Sequence, residues 1–494
     1  MALVPARLRS RIAIAVAAAA GAALLAVPQA AYAVVAPVTA DFNKDGKADL
    51  AVGIPQAADT TITGAGAVSI APGSATGSNG ATKITLTQNS LAGGIDLPGS
   101  SETDDQFGAT TAWGDINGDG YADLAVAAPG EDDTSGHTDA GGITLLYGSA
   151  TGLTADTTMY FAPASARVGG DRCGEAMTIG DFNADGKADV LAFCPGSYAM
   201  WVIDGATRTV KDTAPQQVTE GASALSLTSA ADADAASGDI DKDGYPDAVV
   251  TFTQWDGTSP LYILPGSATG LHTDTATSLE GAGGADVAVG DLNKDTFPDV
   301  VVGQPAAVTG GRVTAYYGSA TGLSDTSKTT LDQDSSGVPG ASESGDDMGA
   351  SVAVGDVNKD GYADVLTGAP GEDLTFNAAN QADAGTTLLL KGSATGLTGT
   401  GSVSLNSGTI DATGDMAGAP EPGDRLGTAV ALLDATNDGY ADMAAGASGE
   451  NSGDGMVLMA NSSATGILAS SSAGPGIGTF NVPAGAHIGD VLAP

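Results

Sequence analysis

Residues 41–49 read Asp41-Phe42-Asn43-Lys44-Asp45-Gly46-Lys47-Ala48-Asp49, and this stretch decides the fold. Acidic or amide side chains occupy positions one, three, five and nine, and glycine occupies position six. The pattern returns six more times, the last two imperfectly, at 115–123, 181–189, 239–247, 356–364, 291–299 and 434–442. Seven copies whose starts lie 52 to 78 residues apart predict a repeat architecture rather than several unrelated domains.

Each copy of this acidic loop is surrounded by short apolar runs and glycine-rich turns. In the second repeat, a strand-like stretch at 107–114 precedes the loop and the run 124–128 follows it. A third run at 143–147 leads into Gly148-Ser149-Ala150-Thr151-Gly152, and a fourth spans 157–161. Runs of this length also fit buried helices, but the β-branched content and the flanking Gly, Pro and Asp favour strands. Four short strands per repeat predict one blade of a β-propeller.

A single blade cannot cover its own two apolar faces, so we expect the blades to stack around an axis. The sequence thus predicts an all-β, seven-bladed β-propeller over residues 34–494. Its repeats are expected at about 34–105, 106–171, 172–232, 233–283, 284–346, 347–424 and 425–494. The first repeat lacks the Phe-Gly phrase seen at Phe107-Gly108, and His487-Ile488-Gly489-Asp490 is a weakened version of it. We therefore expect the C-terminal strand to pair within the first blade and close the ring.

At this point the residues resemble the FG-GAP family, the repeat that forms the propeller headpiece of integrin α chains. The characteristic phrases are Phe107-Gly108 with Ala128-Pro129 in the second repeat and Met348-Gly349 with Gly368-Ala369-Pro370 in the sixth. The seventh repeat has Leu426-Gly427 with Gly446-Ala447-Ser448, the third has cysteines in both phrases, and the fourth has neither phrase intact. The resemblance implies a calcium ion in the loop between the first two strands of each blade, and ligand binding on the opposite face.

Calcium prefers six to eight hard oxygen ligands, which the alternating Asp and Asn side chains of the loop can supply as it curls around Gly at position six. The expected ligands are the side chains at positions one, three, five and nine and the carbonyl at position seven of each loop. They are Asp41, Asn43, Asp45, Lys47, Asp49, Asp115, Asn117, Asp119, Tyr121, Asp123, Asp181, Asn183, Asp185, Lys187, Asp189, Asp239, Asp241, Asp243, Tyr245, Asp247, Asp291, Asn293, Asp295, Phe297, Asp299, Asp356, Asn358, Asp360, Tyr362, Asp364, Asp434, Thr436, Asp438, Tyr440 and Asp442.

The alternative interpretation is that these side chains only make turn hydrogen bonds. Packing three or four carboxylates together without a cation is costly, so the repeated loops favour up to seven structural Ca²⁺ ions. Two loops are expected to bind more weakly. Thr296 lacks the conformational freedom of glycine at position six, and Thr436 offers at most a neutral hydroxyl at position three.

Charge and the N-terminus indicate where the protein acts. The chain has 59 acidic and 18 basic residues, a net charge of −41, which argues against nucleic acid and anionic membranes as partners. Residues 1–33 fit a signal peptide with an arginine-rich start, an apolar stretch at 12–27 and a small-residue cleavage site after Ala33. The alternative, a transmembrane anchor, usually carries no such cleavage site. We expect a secreted, extracellular monomer with no membrane attachment after cleavage.

Cys173 and Cys194 are the only two cysteines and lie in the same repeat. An oxidising compartment and an even count favour a disulfide between them over two buried free thiols.

No catalytic motif stands out: His137, His272 and His487 share no local motif, and no Gly-x-Ser-x-Gly elbow occurs. The sequence favours a non-enzymatic binding or adhesion module for an extracellular protein or polysaccharide. A secreted hydrolase or lyase is the alternative, because carboxylates are plentiful. Trp255 is the candidate ligand contact, although it could equally cover its own blade.

Overall fold

The computed structural model describes residues 40–77, 83–89, 95–164, 167–197, 199–211, 233–254, 258–271, 276–410 and 413–493. Within them the chain is all-β and forms seven blades, which confirms the predicted fold class. The expected signal peptide at 1–33 lies outside the described residues. Trp255 and His272 lie outside them too.

The strands follow one another blade by blade. The first blade has β1 (Leu50–Ile54), β2 (Ala67–Ala71) and β3 (Ile84–Leu86). The second has β4 (Thr110–Gly114), β5 (Asp123–Ala128), β6 (Gly142–Tyr147) and β7 (Thr154–Phe161); the third has β8 (Ala176–Gly180), β9 (Asp189–Cys194), β10 (Ala199–Asp204) and β11 (Thr209–Lys211). The fourth has β12 (Asp234–Gly238), β13 (Asp247–Thr251), β14 (Leu261–Leu264) and β15 (Thr277–Leu279); the fifth has β16 (Asp286–Gly290), β17 (Asp299–Gln304), β18 (Arg312–Tyr316) and β19 (Lys328–Leu331).

The last two blades carry additions. The sixth has β20 (Val352–Gly355), β21 (Asp364–Ala369), β24 (Thr386–Lys391) and β25 (Thr398–Leu405), with a separate hairpin of β22 (Leu374–Phe376) and β23 (Ala379–Gln381). The seventh has β26 (Leu426–Leu433), β27 (Asp442–Ala447) and β28 (Met456–Ala460), followed by the small pair β29 (Ser462–Ser463) and β30 (Gly466–Ile467). Strand β31 (Val491–Ala493) ends the chain, and the helical turns are α1 (Glu450–Gly453), α2 (Ile477–Phe480) and a 3-10 turn at Ala469–Ser471.

The seventh blade departs from the four strands expected per repeat. Its described sheet has three strands, and the place of the fourth is taken by a segment that bridges to β28 only at Met456–Gly476 and Met459–Ala473. This segment contains Gly474 and Pro475, and proline cannot donate to a β-ladder, so a regular fourth strand is interrupted there.

The C-terminal strand closes the ring, as predicted. Strand β31 pairs antiparallel with β1, with Ala493 opposite Ala51 and Val491 opposite Gly53, and so supplies the innermost strand of the first blade. Ile488 forms a parallel bridge with Gly455, which is the position that Phe107 occupies against Gly66 between the first two blades. The weakened phrase at 487–490 therefore replaces the phrase that the first repeat lacks.

The second strand of every blade is buried along its whole length; Asp123–Ala128 and Asp299–Gln304 are examples. These strands read as continuous apolar runs rather than alternating ones because neighbouring blades cover both of their faces. Outer strands such as Lys328–Leu331 alternate between exposed and half-buried residues instead. Among the described residues the hydrophobic core forms seven clusters, one between each pair of adjacent blades, including the seventh and the first.

The innermost strands line the axis of the ring. Strands β31, β4, β8, β12, β16, β20 and β26 contact one another in that order, and β26 contacts β31 again. Each of these strands, apart from β31, runs directly toward the acidic loop of its own blade, so the loops after β4, β8, β12, β16, β20 and β26 share one end of the ring. Ring closure is thus what assembles the loops into one face.

Candidate metal centres

The acidic loops of neighbouring blades are joined by main-chain hydrogen bonds. The carbonyl of the first aspartate of one loop accepts from the amide at position eight of the next, as in Ala122 to Asp41 at 3.2 Å. The same bond joins the last loop to the first, because Ala48 donates to Asp434 at 2.9 Å. The fourth and fifth loops cannot donate it, since position eight is Pro246 and Pro298 there. This bond therefore joins the fifth, sixth, seventh, first, second and third loops in one series at one end of the propeller, and the fourth loop lies outside it.

Side chains add a second connection between some of the loops. Lys44 at position four of the first loop lies 5.1 Å from the ring centre of Tyr121 in the second. Lys359 of the sixth loop repeats this contact with Tyr440, and its ammonium also donates to the Asp438 carbonyl at 2.8 Å. These cation–π contacts hold neighbouring loops together at their exposed surface.

Within each loop, the side-chain oxygens converge while they also organise the backbone. One oxygen of the position-one aspartate accepts from the amide at position six in every loop, for example Gly120 to Asp115 at 2.8 Å. One oxygen of the position-five aspartate accepts from the amide at position seven, for example Tyr121 to Asp119 at 3.0 Å. The turn hydrogen bonds of the alternative interpretation are therefore present. They do not use up the carboxylates, because each has about four lone-pair sites.

The position-nine aspartates anchor each loop to the rest of its blade. Asp123 is fully buried; it accepts from the Ile116 amide at 2.9 Å and from Gly148, at the start of the Gly-Ser-Ala-Thr-Gly turn, at 2.8 Å. Burial raises the pKa of Asp123 to about 7, and the charges of Asp119 and Asp115 add to this effect. The same cause raises the pKa of Asp49 to about 6 and that of Asp247, Asp299 and Asp442 to about 7. A buried carboxylate held this way lacks a compensating positive charge.

The fourth loop has the most complete convergence. Oxygens of Asp239, Asp241 and Asp247 all lie within 4.8 Å of one another, the one such set of three acidic or histidine groups among the described residues. The Oδ1 atom of Asp239 is buried and accepts no hydrogen bond, although the amide of Gly244 donates to its Oδ2 at 3.1 Å. An orphaned buried oxygen among three carboxylates is the donor arrangement that a hard divalent cation fits.

The two imperfect loops differ in the ways the sequence suggested. Thr296 holds φ at +80°, close to the +82° of Gly120 in the second loop, so a β-branched residue occupies a left-handed conformation. In the seventh loop, the hydroxyl of Thr436 is buried without a hydrogen-bond partner, whereas Asn117 accepts from the Asp119 amide at 2.8 Å at the same position. Each substitution thus alters one element of the loop and leaves the remaining turn bonds in place.

Asp364 of the sixth loop pairs with a lysine from strand β24, a contact that the repeat pattern did not reveal. The Lys391 ammonium lies 3.0 Å from Asp364 Oδ2, the oxygen that accepts a main-chain amide in the second loop. Burial raises the pKa of Asp364, and Lys391 opposes that rise. Lys391 precedes the Gly392 turn, where Tyr147 stands in the second repeat, so only a comparison of that flanking position would have indicated the pair.

The cysteines and the described histidines lie away from the loop face. The structure joins Cys173 to Cys194, with an S–S distance of 2.09 Å, and the Trp201 indole donates to Cys194 Sγ at 3.1 Å from within the core. His137 lies 2.8 Å from Asp133 in the loop after β5. His487 precedes the ring-closing residue Ile488.

Comparison with known families agrees with this architecture. The FG-GAP repeat family matches residues 33–70, 107–146 and 348–390, and the FG-GAP-like repeat matches residues 181–250 and 239–302. The chain is an FG-GAP repeat protein. The FG-GAP matches at 107–146 and 348–390 each contain an acidic loop together with the strands on both sides of it.

The FG-GAP propeller is similar to the corresponding part of integrin α chains. It is 27% identical over 238 residues to integrin alpha pat-2 of Caenorhabditis briggsae, which covers 42% of this chain and 18% of that protein. It is 31% identical over 131 residues to human integrin alpha-6, covering 24% of this chain and 11% of that protein. The matched region thus spans less than a fifth of the length of these curated relatives.

A solved structure of an Agrocybe aegerita lectin, which recognises non-reducing terminal N-acetylglucosamine, matches over 91% of this chain and 95% of that chain. Its TM-score is 0.41 with 12% sequence identity. In the described part of the FG-GAP propeller, no helix has the length and apolar character needed to cross a bilayer.

Proposed function

We propose that this protein is a secreted, calcium-binding propeller that acts as an extracellular binding module for a protein or polysaccharide ligand. The observation that carries the calcium assignment is the fourth loop, where oxygens of three carboxylates converge and Oδ1 of Asp239 is buried without a hydrogen bond. The same ligand pattern in the other six loops extends the proposal to up to seven ions.

The proposed ions are structural. Each would neutralise acidic side chains in its own loop, and in the loops that are hydrogen-bonded to their neighbours bound calcium would also stabilise the adjacent loop. Extracellular modules bind calcium at about 10⁻⁴–10⁻³ M, and a site at tenfold its dissociation constant contributes roughly 1.4 kcal/mol. Seven such sites would contribute on the order of 10 kcal/mol, comparable to the stability of a domain.

Ligand binding is assigned to the face opposite the acidic loops, where the longest connections lie. The loop after β5, residues 131–141, holds the Asp133–His137 pair. In the sixth blade, the hairpin β22–β23 projects from the corresponding connection. Leu374 and Phe376 on it are half-buried.

The proposal includes processing and assembly. The signal peptide would be removed after Ala33, and residues 34–494 would form one monomeric propeller with the repeat boundaries given above. We infer binding without catalysis because the acidic residues of the repeated motif already serve the loops, and integrin α chains are among the relatives that this chain matches. The large net negative charge argues against nucleic acid as a partner.

Thermal unfolding of the mature chain in EGTA and in millimolar CaCl₂, with native mass spectrometry to count bound ions, tests the calcium assignment. We expect a large rise in Tm and five to seven ions. The variant Asp239→Asn should lose one ion, while the exposed Glu280→Gln, which removes the same charge outside any loop, should lose none. An unchanged Tm with no bound calcium would mean that the loops serve only as turns.

Incubation with extracellular glycans and proteins, followed by analysis for both retained ligand and released product, tests the binding role. Retention without product supports a binding module. Product formation would instead support a hydrolase or lyase.

A further inference from the structure

A second kind of acidic cluster lies where consecutive blades meet, at the end of the ring away from the acidic loops. The first of these junction clusters consists of Gln88 after β3, Glu102 and Asp105 in the connection to the second blade, and Glu131 after β5. The second consists of the equivalent residues Gln333, Glu343, Asp346 and Glu372 between the fifth and sixth blades. In both, the connection is folded alike, because Asp105 Oδ2 accepts from the Glu102 amide and Asp346 Oδ2 from the Glu343 amide.

A buried glutamine reaches each junction cluster from the outer strand of the preceding blade. The amide nitrogen of Gln88 lies 2.7 Å from Glu131 Oε2, and that of Gln333 lies 2.7 Å from Glu372 Oε2. Gln88 is 4% exposed and Gln333 is 3% exposed. Three separate chain segments from two blades thus converge on one point at each junction.

The carbonyl oxygens of these two glutamines have no partner. Gln88 Oε1 and Gln333 Oε1 are both buried and accept no hydrogen bond. Rotating the amide would not solve this, since it would turn the carbonyl toward the Glu131 or Glu372 carboxylate. A buried, unsatisfied carbonyl next to carboxylates needs a donor or a cation, and it is present twice in equivalent places.

The junction clusters also lack positive charge. Burial raises the pKa of Glu131 to about 7, and the nearby carboxylates of Asp105 and Glu102 add to the effect. Burial raises the pKa of Glu372 as well, and Asp346 and Glu343 contribute there. Among the described residues, no lysine or arginine forms an ion pair with Glu131 or Glu372.

The three carboxylates of a junction cluster lie further apart than those of the fourth loop, whose oxygens are all within 4.8 Å of one another. We propose that each junction cluster binds one Ca²⁺ ion, which draws the three carboxylates toward the glutamine carbonyl and ties one blade to the next. These two ions are additional to the five to seven expected in the acidic loops, so the total count becomes seven to nine. The chain contains an internal contrast between the second and third blades: Asp171 accepts from the Val168 amide as Asp105 does from Glu102, but Val168 and Ser197 replace the two glutamates. That junction is expected to bind no ion. The junction of the sixth and seventh blades contains Glu421, Asp424 and Glu450 but no equivalent of the buried glutamine. The proposed ion site does not extend to it.

Native mass spectrometry of the full mature chain with CaCl₂ tests the proposal. The double variant Glu131→Gln/Glu372→Gln should bind two ions fewer than wild type, whereas Glu280→Gln should bind the same number. The difference does not depend on the acidic loops, so it separates this proposal from the calcium proposal for the loops. Equal ion counts in wild type and the double variant would overturn it.

Hydrogen exchange locates the ions independently. Calcium should slow exchange in residues 95–106 and 334–347 of wild type and not in the double variant, while protection of the acidic loops is the same in both. If the double variant has a lower Tm than wild type in EGTA, the double variant Glu102→Gln/Glu343→Gln is used in its place. Glu102 and Glu343 are exposed at the rim of the clusters, so their substitution should leave the packing intact. At least a tenfold loss of calcium affinity at the two junctions is then expected, and unchanged protection of both segments would overturn the proposal.

Discussion

The main chain at Gly489 lies directly against Gly446: a Cβ atom on Gly446 would be 1.9 Å from the Gly489 carbonyl oxygen. The same approach joins Gly368 of the sixth blade to Gly427 of the seventh, with a corresponding distance of 1.8 Å. The ring-closing contact at the C-terminus is therefore built like the contacts between consecutive repeats. Glycine is required on both sides because the backbones of two blades touch without room for a side chain.

Gly446→Ala is expected to lower the free energy of unfolding by about 1–3 kcal/mol, because the added methyl group overlaps a main-chain atom that cannot move alone. Urea unfolding measures the change. Gly478→Ala is the matched control, since a Cβ there meets nothing within 4 Å and the residue has no left-handed φ. Equal unfolding midpoints for the two variants would show that the blades at this contact can separate without cost.

Deletion of residues 485–494 should cost at least about 3 kcal/mol of stability, because it removes the fully buried Ile488 and the inner strand of the first blade. A fall in Tm on heating checks this. A synthetic peptide of residues 485–493 added in trans should restore part of the loss by occupying the vacant strand position. A wild-type melting curve from the truncated chain would show that ring closure contributes little.

Thr296→Gly is expected to stabilise the protein by about 1 kcal/mol, because threonine at a φ of +80° carries a steric cost that glycine avoids. Unfolding by urea in EGTA isolates this effect from calcium. The reverse change, Gly244→Thr in the fourth loop, provides the matched comparison: φ is +97° and a Cβ there meets nothing within 4 Å. Gly244→Thr should lower the free energy of unfolding. If Thr296→Gly and Gly244→Thr change that free energy in the same direction, the prediction is wrong.

Thr436→Asn should strengthen calcium binding by the seventh loop, because it supplies the amide oxygen that five of the other six loops have at position three and satisfies a buried site that now holds an unpaired hydroxyl. Calorimetric titration of the variant against wild type would show one site with at least several-fold higher affinity. Thr436→Val, which keeps the shape and removes the oxygen, serves as control. A variant no tighter than Thr436→Val would mean that position three does not contact the ion.

Asp234 and Asp286, on the innermost strands of the fourth and fifth blades, give a pH-dependent prediction. Their carboxyl groups hydrogen-bond to each other, and the Val287 amide donates to Asp234 Oδ2 at 2.9 Å. Burial raises the pKa of Asp234 well above its usual value, and the Asp286 charge adds to it. Above about pH 4 the unfolded chain loses this proton before the folded chain does, so ionisation lowers stability as pH rises.

Asp234→Asn keeps the hydrogen bonds and removes the ionisation. The variant should therefore be more stable than wild type near pH 8, with the difference shrinking toward zero near pH 4. Urea unfolding in EGTA across this range measures the difference, and Glu280→Gln, an exposed acid, should show no such trend. A difference that stays constant with pH would mean that the pair does not share a proton.

Local sequence was sufficient for the repeated features of this protein. The spacing of Asp41 to Asp49 and its six relatives predicted seven blades, since each loop must connect two adjacent strands. The weak phrase at 487–490 predicted ring closure for the same reason: the first repeat lacked a strand that the last residues could provide. Thr296 and Thr436 were recognisable as exceptions because the other loops define what belongs at their positions.

Contacts between distant segments were decided only by the tertiary structure. Lys391 contacts Asp364 within one blade, and Asp234 contacts Asp286 of the next blade. Gln88 contacts Glu131, which is 43 residues away in the sequence. No periodic pattern encodes such pairs, because they depend on how closely neighbouring blades approach. The sequence by itself determined the number of blades and the order of the loops, through short-range strand and turn preferences. Closure of the ring determined which carboxylates are buried together, and burial is what gives those carboxylates their unusual electrostatics.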